Sequence, residues 1–201
     1  MIMRRYNIEK AHFLPFGRLD EDSDSNYKSP PGSLEVNRIV SLGMQSVREV
    51  YPKAFDWLFD IRHDLYTKPW SGDGSCLWEP HGNGGTILIR MGLNLKSHAP
   101  GDLPHHIASD IKHRSTRLTA AFLHEVGECI QGIKGYRDRM GTMGIAQCTQ
   151  YAAYGSEVFC EGFALTALAH SKLYGINRVS LPKEPSGLHD DIIRVMGLIG
   201  L

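Results

Sequence analysis

Apolar residues recur at three- and four-residue intervals in several stretches of this chain, separated by glycine, proline and charged residues. Val36, Ile39, Val40, Val47 and Val50 follow Ser33 and precede Pro52. That spacing predicts a helix capped by Ser33 and stopped near the proline. Residues 54–70, with Trp57-Leu58-Phe59 and Ile61, fit a strand or a short helix equally. The glycines from 72 to 85 predict a loop. The β-branched run Thr86-Ile87-Leu88-Ile89-Arg90-Met91, bounded by glycines, predicts a strand.

A second helix is expected from residue 109 or 115 to 133, with Leu118, Phe122, Val126, Cys129 and Ile133 on one stripe and Gly132 and Gly135 at its end. Residues 135–150 read as a loop. A third helix, from 156 to about 173, carries Phe159, Phe163 and Ala167 on one face and Glu157, Glu161, Ala164 and Leu168 on the other. Apolar residues on both faces predict that it is buried. Asp190 and Asp191 open a last amphipathic helix with Ile192, Ile193, Val195, Met196 and Leu198. Ahead of Ser33, the acidic run at 20–26 and the segment Lys28-Ser29-Pro30-Pro31-Gly32 read as a linker preceded by a short arm. The expected organisation is an arm and linker over 1–32 and a single domain over 33–201.

Charge and cysteine usage narrow the function classes. Lys plus Arg number 22 and Asp plus Glu number 22, so a protein that works by neutralising phosphates is not expected. The basic clusters at Lys112-His113-Arg114 with Arg117, and from Lys134 to Arg139, read as solvated faces. His98, His105 and His106 lack a carboxylate or cysteine beside them and read as surface residues. No apolar run is long enough to span a bilayer, so no membrane partner is expected. No secretory signal is visible, and Cys76, Cys129, Cys148 and Cys160 form no C-x-x-C pair. Reduced thiols in a cytoplasmic protein are expected, or delivery into another cell without a classical signal.

The chemistry concentrates between 117 and 170. Residues 122–129 read Phe-Leu-His-Glu-Val-Gly-Glu-Cys. This is the metallopeptidase pattern H-E-x-x-H with glutamate in the last position. His124 and Glu128 are four residues apart and share a helix face, as two metal ligands must. Glu125 projects about 100° around the helix, toward the side where a reacting water would stand. Glu157 or Glu161 can supply a further carboxylate from the following helix. Tyr151 and Tyr154 are candidate oxyanion donors.

The stretch Thr149-Gln150-Tyr151, followed by Glu157-Val158-Phe159-Cys160-Glu161-Gly162-Phe163, resembles the catalytic domain of the anthrax lethal factor family and the related Pro-Pro endopeptidases. Those proteins are zincins with H-E-x-x-H on one helix, then a tyrosine, then E-[FV]-F-A-E-A-F on the next. The resemblance implies an α+β zincin-like fold: a small sheet edged by residues 86–91, packed on the helix carrying His124, with the Glu157 helix crossing beneath. It implies His124 and Glu157 as metal ligands, Glu125 as general base, Glu161 as the carboxylate behind His124, and Tyr151 as the oxyanion donor, with Tyr154 competing for that role.

Glu128 stands where the family has histidine. A His124/Glu128/Glu157 set is harder and more anionic than the family's own. It still implies one divalent metal, zinc first, with manganese or iron(II) admitted more readily. The expected activity is hydrolysis of peptide bonds in a protein or peptide substrate by a metal-activated water. The alternatives are a site completed by Cys129 or His81, and a catalytically inactive zincin-fold module that binds peptide or protein. Less favoured are a dinuclear carboxylate site built from Glu125, Glu128, Glu157 and Glu161, and a domain whose polar helices only pair with each other.

Overall fold

The computed structural model describes residues 33–58, 63–70, 74–81, 84–92, 95, 106–135, 149, 157–174 and 181–201. The arm and linker expected over 1–32, and Tyr151 and Tyr154, lie outside them. The described elements run α1 (Ser33–Val50), α2 (Pro52–Leu58), β1 (His63–Trp70), β2 (Gly74–His81), β3 (Gly84–Gly92), α3 (Ile107–Asp110), α4 (Arg114–Lys134), α5 (Val158–His170), a 3-10 turn (Lys172–Tyr174) and α6 (Leu188–Leu198).

The protein is α+β, with a three-stranded mixed sheet in the order β1-β3-β2. β3 pairs parallel with β1, Leu65 lying opposite Ile87, and antiparallel with β2, Trp78 lying opposite Ile87. Two expectations are corrected here. The strand at 86–91 is the centre of the sheet, not its edge. The glycine-rich stretch expected as a loop contains all of β2. The ambiguous span 54–70 divides into the end of α2 and the whole of β1.

α4 is the central helix and touches both β2 and β3, as well as α1, α3 and α5. Side chains from Thr116 to Gly127 are buried all round it, so the stripe read from the sequence understates its burial. Ile87, Ile89 and Met91 alternate along β3 and are buried, as a strand with one face on the core requires. On α1, Val36, Ile39, Val40, Met44 and Val47 form the buried face. There a Cβ added at Gly43 would lie 2.5 Å from the Phe122 ring, so only glycine admits this approach of α1 to α4. α4 ends at Gly135, whose left-handed conformation (φ 68°) lets its N–H reach the carbonyls of Gln131 and Gly132.

α5 is buried from Val158 to Leu168, as its two apolar faces predict. α6 lies on its outer side, with Ile192 and Leu188 over Gly162. The first basic cluster is not wholly a solvated face. Arg117 is buried, and its Nη1 donates to the carbonyls of Ile111 (2.9 Å) and Lys112 (3.2 Å). Its charge is thus spent on joining the end of α3 to the start of α4. Cys129 is disulfide-bonded, against the expectation of reduced thiols throughout, while Cys160 is free and buried.

Candidate metal centre

Two helices bring the site together. α4 carries His124, Glu125 and Glu128, and Glu157 stands immediately before the first residue of α5, which carries Glu161. They converge because α4 and α5 pass unusually close. A Cβ on Gly127 would lie 3.0 Å from the Cys160 Cα, tighter than ordinary carbon contact. The glycine inside the H-E-x-x-E motif is therefore what lets the carboxylates of α5 reach the histidine of α4.

His124 is the hub. Its Nε2 lies 3.2 Å from Glu157 Oε2 and 3.7 Å from Glu128 Oε1, and its Nδ1 lies 2.7 Å from Glu161 Oε1. One atom each from His124, Glu128 and Glu157 falls within 4.8 Å of the others. Two ligands of a tetrahedral zinc, each at about 2.0–2.1 Å, stand about 3.3 Å apart, and the two distances from Nε2 bracket that value. Glu161 on Nδ1 turns Nε2 toward the cluster, as an outer carboxylate does for a ligating histidine. Side-chain exposure rises from 0% at Glu161 through 9% at His124 and 19% at Glu157 to 35% at Glu128. The cluster is anchored at Glu161 and opens to solvent at Glu128.

His124, Glu128 and Glu157 form a group that could hold a metal ion, and Glu161 adds a further carboxylate on the other side of the imidazole. Burial works to lower the His124 pKa, but its hydrogen bonds with Glu128, Glu157 and Glu161 outweigh this and raise it well above the usual histidine value. Glu125 is pushed up to about 8, first by burial and then by the charge of Glu128, with His124 opposing and Glu157 adding to the rise. Its Oε2 is buried with no hydrogen-bond partner among the described residues. A stranded carboxylate oxygen beside three converging ligand atoms fits a group that the protein is built to receive. The hard donor set fits a divalent cation.

The structure joins His124, Glu125, Glu128, Glu157 and Glu161, all named from the sequence. Both oxygens of Glu161 are engaged, one by His124 Nδ1 and the other by the Ile107 N–H at 2.6 Å. Glu161 thus stands behind the histidine, and a dinuclear site that needs it as a ligand is not formed. The alternative ligand Cys129 is excluded by its disulfide. The His81 side chain lies outside the described residues, as do both candidate tyrosines.

Two residues near the site were missed by the sequence reading. His106, set aside as a surface residue, holds its ring centroid 6.4 Å from that of His124. Ile107 reaches Glu161 through its main chain. The Ile107 contact left no signal in the sequence, because a backbone contact from a four-residue helix has no residue signature; the signal for His106 was the histidine group itself. Comparison of the chain with protein-family models, with curated proteins and with solved structures finds no match.

Proposed function

We propose that this chain is a metal-dependent endopeptidase of zincin type that hydrolyses peptide bonds in a protein or peptide substrate. The observation that carries the reading is one cluster: three ligand atoms within 4.8 Å, a carboxylate behind the histidine, and a second carboxylate one residue along the same helix. His124, Glu128 and Glu157 would hold the metal, zinc by preference and manganese or iron(II) as the harder alternatives. When bound, such a cation supplies Lewis acidity and makes water a nucleophile near neutral pH.

The protein's own groups divide the remaining work. Glu125 takes the proton from the attacking water and passes it to the departing amine; positioned acid–base groups of this kind contribute about 10²–10⁴-fold in rate. Its burial favours the task, since a carboxylate held near neutral pKa both accepts and returns a proton. Glu161 orients the His124 imidazole by accepting the Nδ1 proton. Tyr151 or Tyr154 is the donor to the oxyanion. The implied partner is a polypeptide, and neither nucleic acid nor membrane enters the reading.

A second reading rests on Glu128. It adds an anion beside Glu125 and helps hold that carboxyl protonated, which suits a pseudopeptidase that binds polypeptide without cutting it. Elemental analysis of the purified protein, followed by cleavage of a peptide library with zinc, manganese or iron(II), separates the two. Cleavage that a chelator abolishes and metal restores supports the enzyme. Stoichiometric metal with no cleavage of any library member supports the binding module. Absence of metal binding refutes the enzyme and leaves the binding module, which capture of a library peptide by the metal-free protein then supports and failure to capture any member refutes.

A further inference from the structure

We propose that the main-chain amide of Ile107 is a positioning group of the metal centre, and that α3 is its third wall. The proposal rests on the reading of His124 as a metal ligand. Glu161 is fully buried, and its carboxylate is held at two points: Oε1 by His124 Nδ1 at 2.7 Å and Oε2 by the Ile107 N–H at 2.6 Å. Two anchors on different elements fix the plane of the carboxylate. With one anchor it can turn about its last bond and carry the imidazole with it. A short charge-assisted bond to a fully buried carboxylate is the strong kind, and losing it strands a buried carboxylate oxygen.

α3 is fastened for this purpose at both ends. Ile107, its first residue, is tied to α5 through Glu161, and Ile111, just after its last, accepts from Arg117 of α4 at 2.9 Å. The side chains of Ile107, Ala108 and Ile111 are buried between these helices. The short helix therefore reads the spacing of the two ligand-bearing helices and transmits it to the orientation of His124.

Proline at 107 removes the N–H with little other disturbance. The first residue of a helix tolerates proline. The residue before a proline must be extended, and His106 already is, at φ −139° and ψ 166°. Ile107→Ala is the control, since it deletes more side chain than proline does and keeps the N–H. The full chain is stripped of metal and titrated with zinc alone against a competing chromophoric chelator, and separately with cobalt(II) while its visible absorption is recorded. Ile107→Pro should bind zinc about tenfold more weakly than wild type, the lower end for loss of an outer-shell partner, with a changed cobalt spectrum. Ile107→Ala should melt at a lower temperature yet keep wild-type zinc affinity within about threefold and the same spectrum. If Ile107→Pro does not fold, an amide-to-ester replacement at position 107 removes the same N–H and retains the isoleucine side chain. Equal zinc affinity in the proline or ester protein and the alanine control overturns the proposal and leaves the metal centre standing. No zinc binding by the wild-type protein overturns both.

Discussion

Gly127→Ala tests whether helix separation sets metal affinity. The added methyl would lie 3.0 Å from Cys160 Cα, 3.4 Å from its Cβ and 3.6 Å from its carbonyl oxygen. Carbon atoms rest about 3.5–4.0 Å apart, so α4 and α5 must part by roughly 0.5–1.0 Å at this point. The nearest neighbour is backbone and cannot swing aside. Cys160 is three residues beyond Glu157 and one before Glu161, so both carboxylates move with it. Metal–ligand distances tolerate only about 0.2 Å. Zinc affinity should therefore fall by at least about tenfold, the scale on which disturbed outer-shell support is felt. Stability should change much less. Overpacking costs about 1–3 kcal/mol, and alanine in place of a helical glycine returns about 1 kcal/mol, leaving a net loss of about 0–2 kcal/mol. The assay is chelator-competed zinc titration beside urea unfolding of the metal-free protein. Gly132→Ala is the reference, because nothing lies within 4 Å of its added methyl; it should stabilise α4 by up to about 1 kcal/mol and leave zinc binding alone. Wild-type zinc affinity in Gly127→Ala would refute the reasoning.

Glu125→Gln should reduce cleavage by about 10²-fold or more while zinc content stays stoichiometric, since it removes only the proton acceptor; unchanged turnover would sink the mechanism. Glu128→His should raise zinc affinity and lower the preference for manganese, because imidazole suits zinc better than a further hard anion, as competition between the two metals will read. Glu161→Gln should weaken zinc binding by about 10–100-fold: an amide cannot accept from both His124 Nδ1 and the Ile107 N–H, so one of the two contacts is lost in either orientation. The metal-free protein should lose stability as pH rises. Glu125 has a folded pKa of about 8 against an ordinary 4.5, so the folded state holds the extra proton and its contribution is present below 4.5 and lost on the way to 8. His124, also raised, contributes fully below 6.5 and loses that contribution above it; urea midpoints that climb from pH 5 to pH 8 would contradict both.

The sequence by itself determined which side chains make up the cluster and the two helices that bear it. A histidine and a carboxylate four residues apart must share a face of any helix, and α4 does form around His124 and Glu128. Carboxylates in a segment apolar on both sides must find partners when buried, and Glu161 found them in His124 and Ile107. The sheet was only partly legible. Residues 86–91 stood out because β-branched Thr86, Ile87 and Ile89 sit with apolar Leu88 and Met91 between bounding glycines, whereas β1 and β2 carry proline, lysine, glutamate and glycine among their apolar positions. One signal for β2 was present: the dipeptide Gly82-Asn83 is of the kind that joins hairpin strands, and β2 and β3 do pair antiparallel, with His81 opposite Gly84. Strand order was not legible at all, because which strand lies in the middle is a property of pairing between segments and leaves no mark on any one of them. The same holds for what makes the site a site. The passage of α4 against α5 at Gly127 and the reach of the Ile107 amide to Glu161 are contacts between distant parts of the chain. Local spacing specifies which side chains share a face, but only the packed structure decides what that face meets.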